Sequence, residues 1–127
     1  MATVLSNLSY FNPAEVPSGK DFKVALVVAE WNPKITENLF LGAKEALTAC
    51  GVLEHHILRS NVPGSFELVF GAKKALEQSV DAVIVIGSLI QGETKHFDFV
   101  CQGVTQGIVA LNLSSNRPVV FCVLTDN

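Results

Sequence analysis

The run Asp81-Ala82-Val83-Ile84-Val85-Ile86-Gly87-Ser88-Leu89 constrains the fold more than any other part of the chain. Its β-branched residues restrict the first side-chain torsion and pack well on a pleated surface, so the segment reads as a strand. It has no polar face. Such a strand must be covered on both sides, a condition met at the centre of a parallel sheet flanked by helices. Lys23-Val24-Ala25-Leu26-Val27-Val28-Ala29 has the same character, and two further strands are predicted over His56-Ile57-Leu58 to Val62 and Pro118-Val119-Val120-Phe121-Cys122-Val123-Leu124. Between them, apolar residues recur at helical spacing: Ile35, Leu39, Ala43, Ala46, Leu47 and Cys50; then Leu68, Val69, Ala72, Ala75 and Leu76; then Phe97, Val100, Cys101, Val104, Ile108 and Leu111. Strict alternation of strand and helix predicts an α/β fold on a parallel four-stranded sheet with right-handed crossovers.

Local signals set the boundaries. Asn32-Pro33 reads as a cap followed by proline at the first helical position, Gly51 ends that helix, and Ser65 is placed to cap the next. Residues 9 to 20 gather Asn12, Pro13, Pro17, Ser18 and Gly19, a turn-rich linker behind a short apolar start. The chain is therefore divided into an arm and linker over 1–20 and one α/β domain over 21–127. The arm is expected to add as a strand to a neighbouring subunit's sheet. Thr125-Asp126-Asn127 resembles a helix N-cap where the alternation calls for another helix, so the sequence is expected to be a fragment lacking its final C-terminal helix.

With 127 residues the chain is the size of one domain. Surface scaling lets it bury about two-thirds of its unfolded area, enough for a core without disulfides or structural metal. A net charge of −3 with scattered Lys and Arg lacks the basic footprint of a nucleic-acid binder. Only 17% of the residues are charged, fewer than the roughly 25% usual in soluble chains, which points to a homo-oligomer that buries part of its surface. Cys50, Cys101 and Cys122 are odd in number, lack C-x-x-C spacing and lie in apolar stretches. They read as reduced thiols in a reducing, cytoplasmic setting. No apolar run reaches the roughly 18 residues of a membrane span, and the first residues carry no targeting pattern.

Ligands of open parallel sheets bind where the loops converge at the carboxyl ends of the strands. That rule selects Glu30-Trp31-Asn32, Val62-Pro63-Gly64-Ser65-Phe66-Glu67, Leu89-Ile90-Gln91-Gly92-Glu93-Thr94-Lys95-His96 and Thr125-Asp126. Gly92-Glu93-Thr94 runs into a helix, so its amides could cradle a phosphate. Alone, the loop matches neither a Walker sequence nor a dinucleotide fingerprint and reads as a plain connection. His96 in the first helical turn suits proton transfer near neutral pH, or is simply an exposed helix-start histidine. Trp31 is either a stacking platform for a planar ring or a lid over the core or an interface. Glu67 faces the same crevice and suits a polyhydroxyl or amine ligand. His55 and His56 are adjacent on the second predicted strand, point to opposite sides and are assigned no metal.

Taken together, Ala29-Glu30-Trp31-Asn32, Val62-Pro63-Gly64-Ser65-Phe66-Glu67-Leu68 and Gly87-Ser88-Leu89-Ile90-Gln91-Gly92-Glu93-Thr94-Lys95-His96-Phe97-Asp98 resemble the three motifs of the lumazine synthase family, in order and at its spacing. The likeness extends through the fourth predicted strand. It implies a flavodoxin-like three-layer sandwich, assembled as pentamers that pair or build a 60-subunit icosahedral capsid, with active sites between subunits. The implied reaction condenses 5-amino-6-(D-ribitylamino)uracil with 3,4-dihydroxy-2-butanone 4-phosphate, giving 6,7-dimethyl-8-ribityllumazine for riboflavin biosynthesis, without metal or organic cofactor.

By the same resemblance Trp31, beside Asn32, takes the place of an aromatic residue that stacks on the pyrimidine, usually phenylalanine. Ser65, Phe66 and Glu67 fall on the ribityl segment, and Ser88, Leu89 and Ile90 line the far side of the ring. Gly92, Glu93 and Thr94 form the phosphate loop, His96 matches the proton-transfer histidine, and Phe121 corresponds to an aromatic contributed by a neighbouring subunit. The family's later phosphate-binding arginine and its lysine have no counterpart in this sequence. A flavodoxin would need a Ser/Thr-rich loop where Glu30-Trp31-Asn32-Pro33 stands, and a response regulator an aspartate where Ser88-Leu89-Ile90 stands. The remaining alternative is a non-catalytic shell-forming or flavin-like-ligand-binding member of the same family.

Overall fold

A computed structural model describes residues 10–127. The expected arm over residues 4–8 lies outside them. Four parallel strands form one sheet: β1 (Val24–Ala29), β2 (Ile57–Val62), β3 (Ala82–Ile90) and β4 (Val119–Asp126), in the spatial order β2-β1-β3-β4. Three helices make the crossovers: α1 (Pro33–Ala49), α2 (Leu68–Leu76) and α3 (His96–Ser114). This is the expected α/β architecture in three layers, flavodoxin-like in its arrangement.

The two central strands carry the apolar runs that demanded burial, and every residue of β1 is buried. On one side Ala25, Val27, Ala29, Val83, Val85 and Val119 pack with Leu68, Ala72, Val104 and Ile108 of α2 and α3. On the other, Val24, Leu26, Val28 and Ile86 meet Leu39, Phe40, Ala43 and Leu47 of α1. The second face is the thinner one, because a single helix crosses it. Ile84 is only half-buried there, and Val120 and Leu124 of the edge strand β4 are exposed. Gly71 lets α2 approach the sheet: a Cβ at that position would lie 2.6 Å from Cγ1 of Val27. Gly51, at φ +96°, ends α1 as its sequence position foretold.

The boundaries differ from expectation in two places. β2 begins at Ile57, and His55 and His56 occupy a 3-10 turn, Glu54–His56, with ring centroids 4.4 Å apart. On a turn neighbouring side chains do not alternate as they do on a strand, so the expected opposite orientation of the two rings is corrected. At the far end of the sheet Thr125 and Asp126 are the last residues of β4 and pair with Leu89 and Ile90, in the extended conformation that a helix cap also takes, and the amide of Gln91 donates to the carbonyl of Asp126 (2.8 Å). Ser65 does not cap α2. It opens a 3-10 turn, Ser65–Glu67, whose cap position is Gly64, and its hydroxyl is turned inward.

Arg117 locks the lower end of the fold. Its guanidinium donates to the carbonyls of Gln78 (2.7 Å), Val80 (3.1 Å) and Leu76, closing the carboxyl end of α2 and the turn that leads to β3. Charge-assisted bonds to otherwise orphaned helix-end carbonyls are the strong kind. Arg117→Met is expected to lower unfolding stability by about 1.5–3 kcal/mol. Urea denaturation checks this, with the midpoint falling at unchanged slope.

Candidate active site

The carboxyl ends of the strands are staggered. β1 pairs with β3 only as far as Val28 with Ile86, whereas β3 runs on beside β4 to Ile90. The chains leaving β1 and β2 close over the resulting notch together: the amide of Glu30 donates to the carbonyl of Val62 (2.8 Å) and that of Trp31 to the carbonyl of Pro63 (3.0 Å). α3 begins at the rim with His96.

A cavity of about 600 Å³ fills this notch, lined by Trp31, Gly64, Ser65, Phe66, Glu67, Ser88, Leu89, Ile90, His96, Phe97 and Val100. Three loops far apart in sequence thus contribute an indole, a carboxylate and an imidazole to one space. Trp31 is 52% exposed, so its ring is available to a ligand. The Glu67 carboxylate folds back over the preceding turn, where a Cβ on Gly64 would lie 3.4 Å from Oε2. Phe66 is also largely exposed, and the edge of its ring rests on α3 at Gly103.

Two of the serines are committed to the protein itself. Ser65, 5% exposed, donates its hydroxyl to the backbone carbonyl of Ser88 (3.1 Å). Ser88, 2% exposed, accepts a bond at Oγ from the carboxamide of Asn32 (3.3 Å). Asn32 does hold the cap position of α1 and is followed by Pro33, but its side chain makes no capping bond. The carboxamide points across to β3, and the Asn32 carbonyl receives the amides of Ile35 (3.0 Å) and Thr36 (3.1 Å).

Asn32, Gly92, Glu93, Thr94 and Phe121 are not among the residues lining this cavity. Gly92, Glu93 and Thr94 lie on the exposed loop just before α3, where the amide of His96 donates to the Thr94 hydroxyl (3.3 Å). Phe121 lies in the middle of β4 opposite Val85, 43% exposed. Phe97 and Val100 line the cavity as well, although their helical spacing marked them only as core positions. A face that is apolar by sequence reads the same whether it covers a core or a cavity.

Two thiols outside the cavity lining favour the protonated state. Burial and the Asp98 carboxylate push the Cys101 thiol up, and burial does the same to Cys122. Thiolate is the reactive form, so both are expected to alkylate with iodoacetamide at neutral pH more slowly than free cysteine, followed by mass spectrometry of the labelled peptides. Labelling at the rate of free cysteine would contradict the assignment.

A parallel α/β domain with a mixed aromatic and titratable cavity at the strand ends has the form of a small-molecule enzyme. The family model for 6,7-dimethyl-8-ribityllumazine synthase matches residues 21–127. The chain belongs to that family, a family of transferases. It is 62% identical over 128 residues to the 6,7-dimethyl-8-ribityllumazine synthase of Flavobacterium johnsoniae, covering 100% of this chain and 67% of the relative. The proteins of that name from Flavobacterium psychrophilum and Christiangramia forsetii are 56% and 55% identical, again across 100% of this chain and across 68% and 77% of theirs. Among the described residues no helix is long and apolar enough to cross a membrane.

Proposed function

We propose that this chain forms 6,7-dimethyl-8-ribityllumazine from 5-amino-6-(D-ribitylamino)uracil and 3,4-dihydroxy-2-butanone 4-phosphate. The observation that carries the reading is the meeting of Trp31, Glu67 and His96 around one cavity of about 600 Å³. Trp31 offers a face on which the pyrimidine stacks. Leu89 and Ile90 bound the far side of the ring. Glu67, beside Phe66, accepts hydrogen bonds from the ribityl hydroxyls. The phosphate of the second substrate sits before the amino end of α3, on the amides of Gly92, Glu93 and Thr94. The Thr94 hydroxyl already accepts from the amide of His96 and keeps its own proton to donate to a phosphate oxygen.

The chemistry asks little of the protein beyond placement. An amine and a ketone condense spontaneously, so holding them together supplies most of the gain. His96 moves protons as phosphate leaves and the ring closes. A modest contribution of about 10 to 100-fold fits this role, at or below the usual range for general acid–base catalysis.

The outer surface of the helices supports assembly. Phe66, Phe70, Phe99 and Leu113 are each largely exposed, apolar side chains that contacts between copies would cover. In this reading the chain assembles through pentamers in the cytoplasm, and Phe121 completes a neighbour's site. Sedimentation is expected to give a pentamer or a multiple of it, and a monomer at micromolar concentration would overturn that part.

Formation of the lumazine product, followed by its absorbance, tests the activity. Binding without turnover would instead make the chain a non-catalytic member of its family. His96→Gln is expected to lower kcat about 10 to 100-fold. The saturable quenching of Trp31 fluorescence by a ribitylaminopyrimidine analogue should survive that substitution. No quenching in the unsubstituted chain would remove Trp31 from the site.

A further inference from the structure

We infer that Ser88 is a positioning residue, anchoring the loops that follow β1 and β2 to β3, and that the Asn32 carboxamide and the Ser88 hydroxyl act on the ligand through Trp31. This rests on the reading of Trp31 as the stacking platform.

Ser88 holds both loops at once. Its carbonyl lies beyond the last residue at which β1 pairs with β3, and the Ser65 hydroxyl donates to it. Its own hydroxyl accepts from Asn32. Ser88 lines the cavity, but at 2% exposure, and with its hydroxyl bonded to Asn32, its side chain presents almost no surface to a ligand. The residue before it must be small: a Cβ on Gly87 would lie 2.5 Å from the Ser65 hydroxyl oxygen and 2.9 Å from Cδ1 of Leu68, so any larger residue would drive the second loop off the strand.

Asn32 is the one non-glycine residue with positive φ among the described residues, at φ 59°. Asparagine and glycine take up this conformation most readily. With its carbonyl at the start of α1 and its carboxamide on Ser88, Asn32 is held at both ends. Trp31 precedes it and is fastened in turn through its own amide to Pro63. The indole is therefore placed by Asn32 and Pro63, neither of which lines the cavity. Losing the Asn32 to Ser88 bond frees the peptide that carries the indole and weakens stacking of the bound ring.

The test uses the full chain, in which Trp31 is the only tryptophan. Asn32→Gly keeps the backbone conformation and removes the carboxamide, Ser88→Ala removes the hydroxyl, and Asn32→Asp restores the bond with Ser88 as donor. In the first two, acrylamide quenching of Trp31 without ligand is expected to increase. KM for the pyrimidine substrate is expected to rise about 2- to 12-fold, more than kcat falls, the size of one neutral hydrogen bond. The double variant should be no worse than either single one, and Asn32→Asp should return both readouts toward the starting values. Unchanged quenching in Asn32→Gly and Ser88→Ala, or losses that multiply in the double variant, would overturn the proposal. Should Asn32→Gly fail to fold, Ser88→Ala and Asn32→Asp decide alone. If the unsubstituted chain makes no product, the proposed reaction fails, while the quenching measurements still read the anchor.

Discussion

The uneven ends of the two central strands are the constraint on which the site depends. β1 and β3 are buried together through the middle of the sheet, but their pairing stops at Val28 and Ile86, and β3 continues to Ile90 with β4 alone. Continuing β1 in register would have filled the notch with backbone. Instead the chain turns out at Trp31, and the polar groups of β3 that lose a strand partner are met by side chains. The Ser65 hydroxyl on the Ser88 carbonyl is one such replacement. A buried carbonyl without a partner costs about as much as a lost hydrogen bond, so the loops are held where their side chains can satisfy it.

The same arrangement separates the work of the residues around the cavity. Asn32, Ser65 and Ser88 spend their polar atoms within the protein, whereas Trp31, Phe66, Glu67 and His96 remain exposed. Rigid inner contacts therefore carry an outer set of groups free to meet a ligand, the division that precise placement of two substrates requires.

Much of the fold was legible because burial on both faces and helical spacing are properties of residue order. The apolar runs of β1 and β3 could only be central, and Gly51 could only end a helix. Errors arose where two local preferences competed with a distant partner. Asn32 and Ser65 both carry helix-cap signals, yet the side chain of each bonds across to Ser88 on β3. At His55 and His56 the strand was read one turn too early, because sequence periodicity does not mark where a turn gives way to a ladder.

The motif residues, and through them the family, were determined by the sequence, since chemical groups at fixed spacing are a one-dimensional property. Which of those groups line the cavity was decided only by the tertiary structure. Ser65 and Trp31 both lie on loops that leave the strand ends, yet the Ser65 hydroxyl is bonded inward to Ser88 and the indole stays exposed at the cavity. Contacts such as Asn32 to Ser88 join positions 56 residues apart, and no local pattern encodes them. They exist because the sheet brings the ends of β1 and β3 together and leaves a gap that the side chains fill.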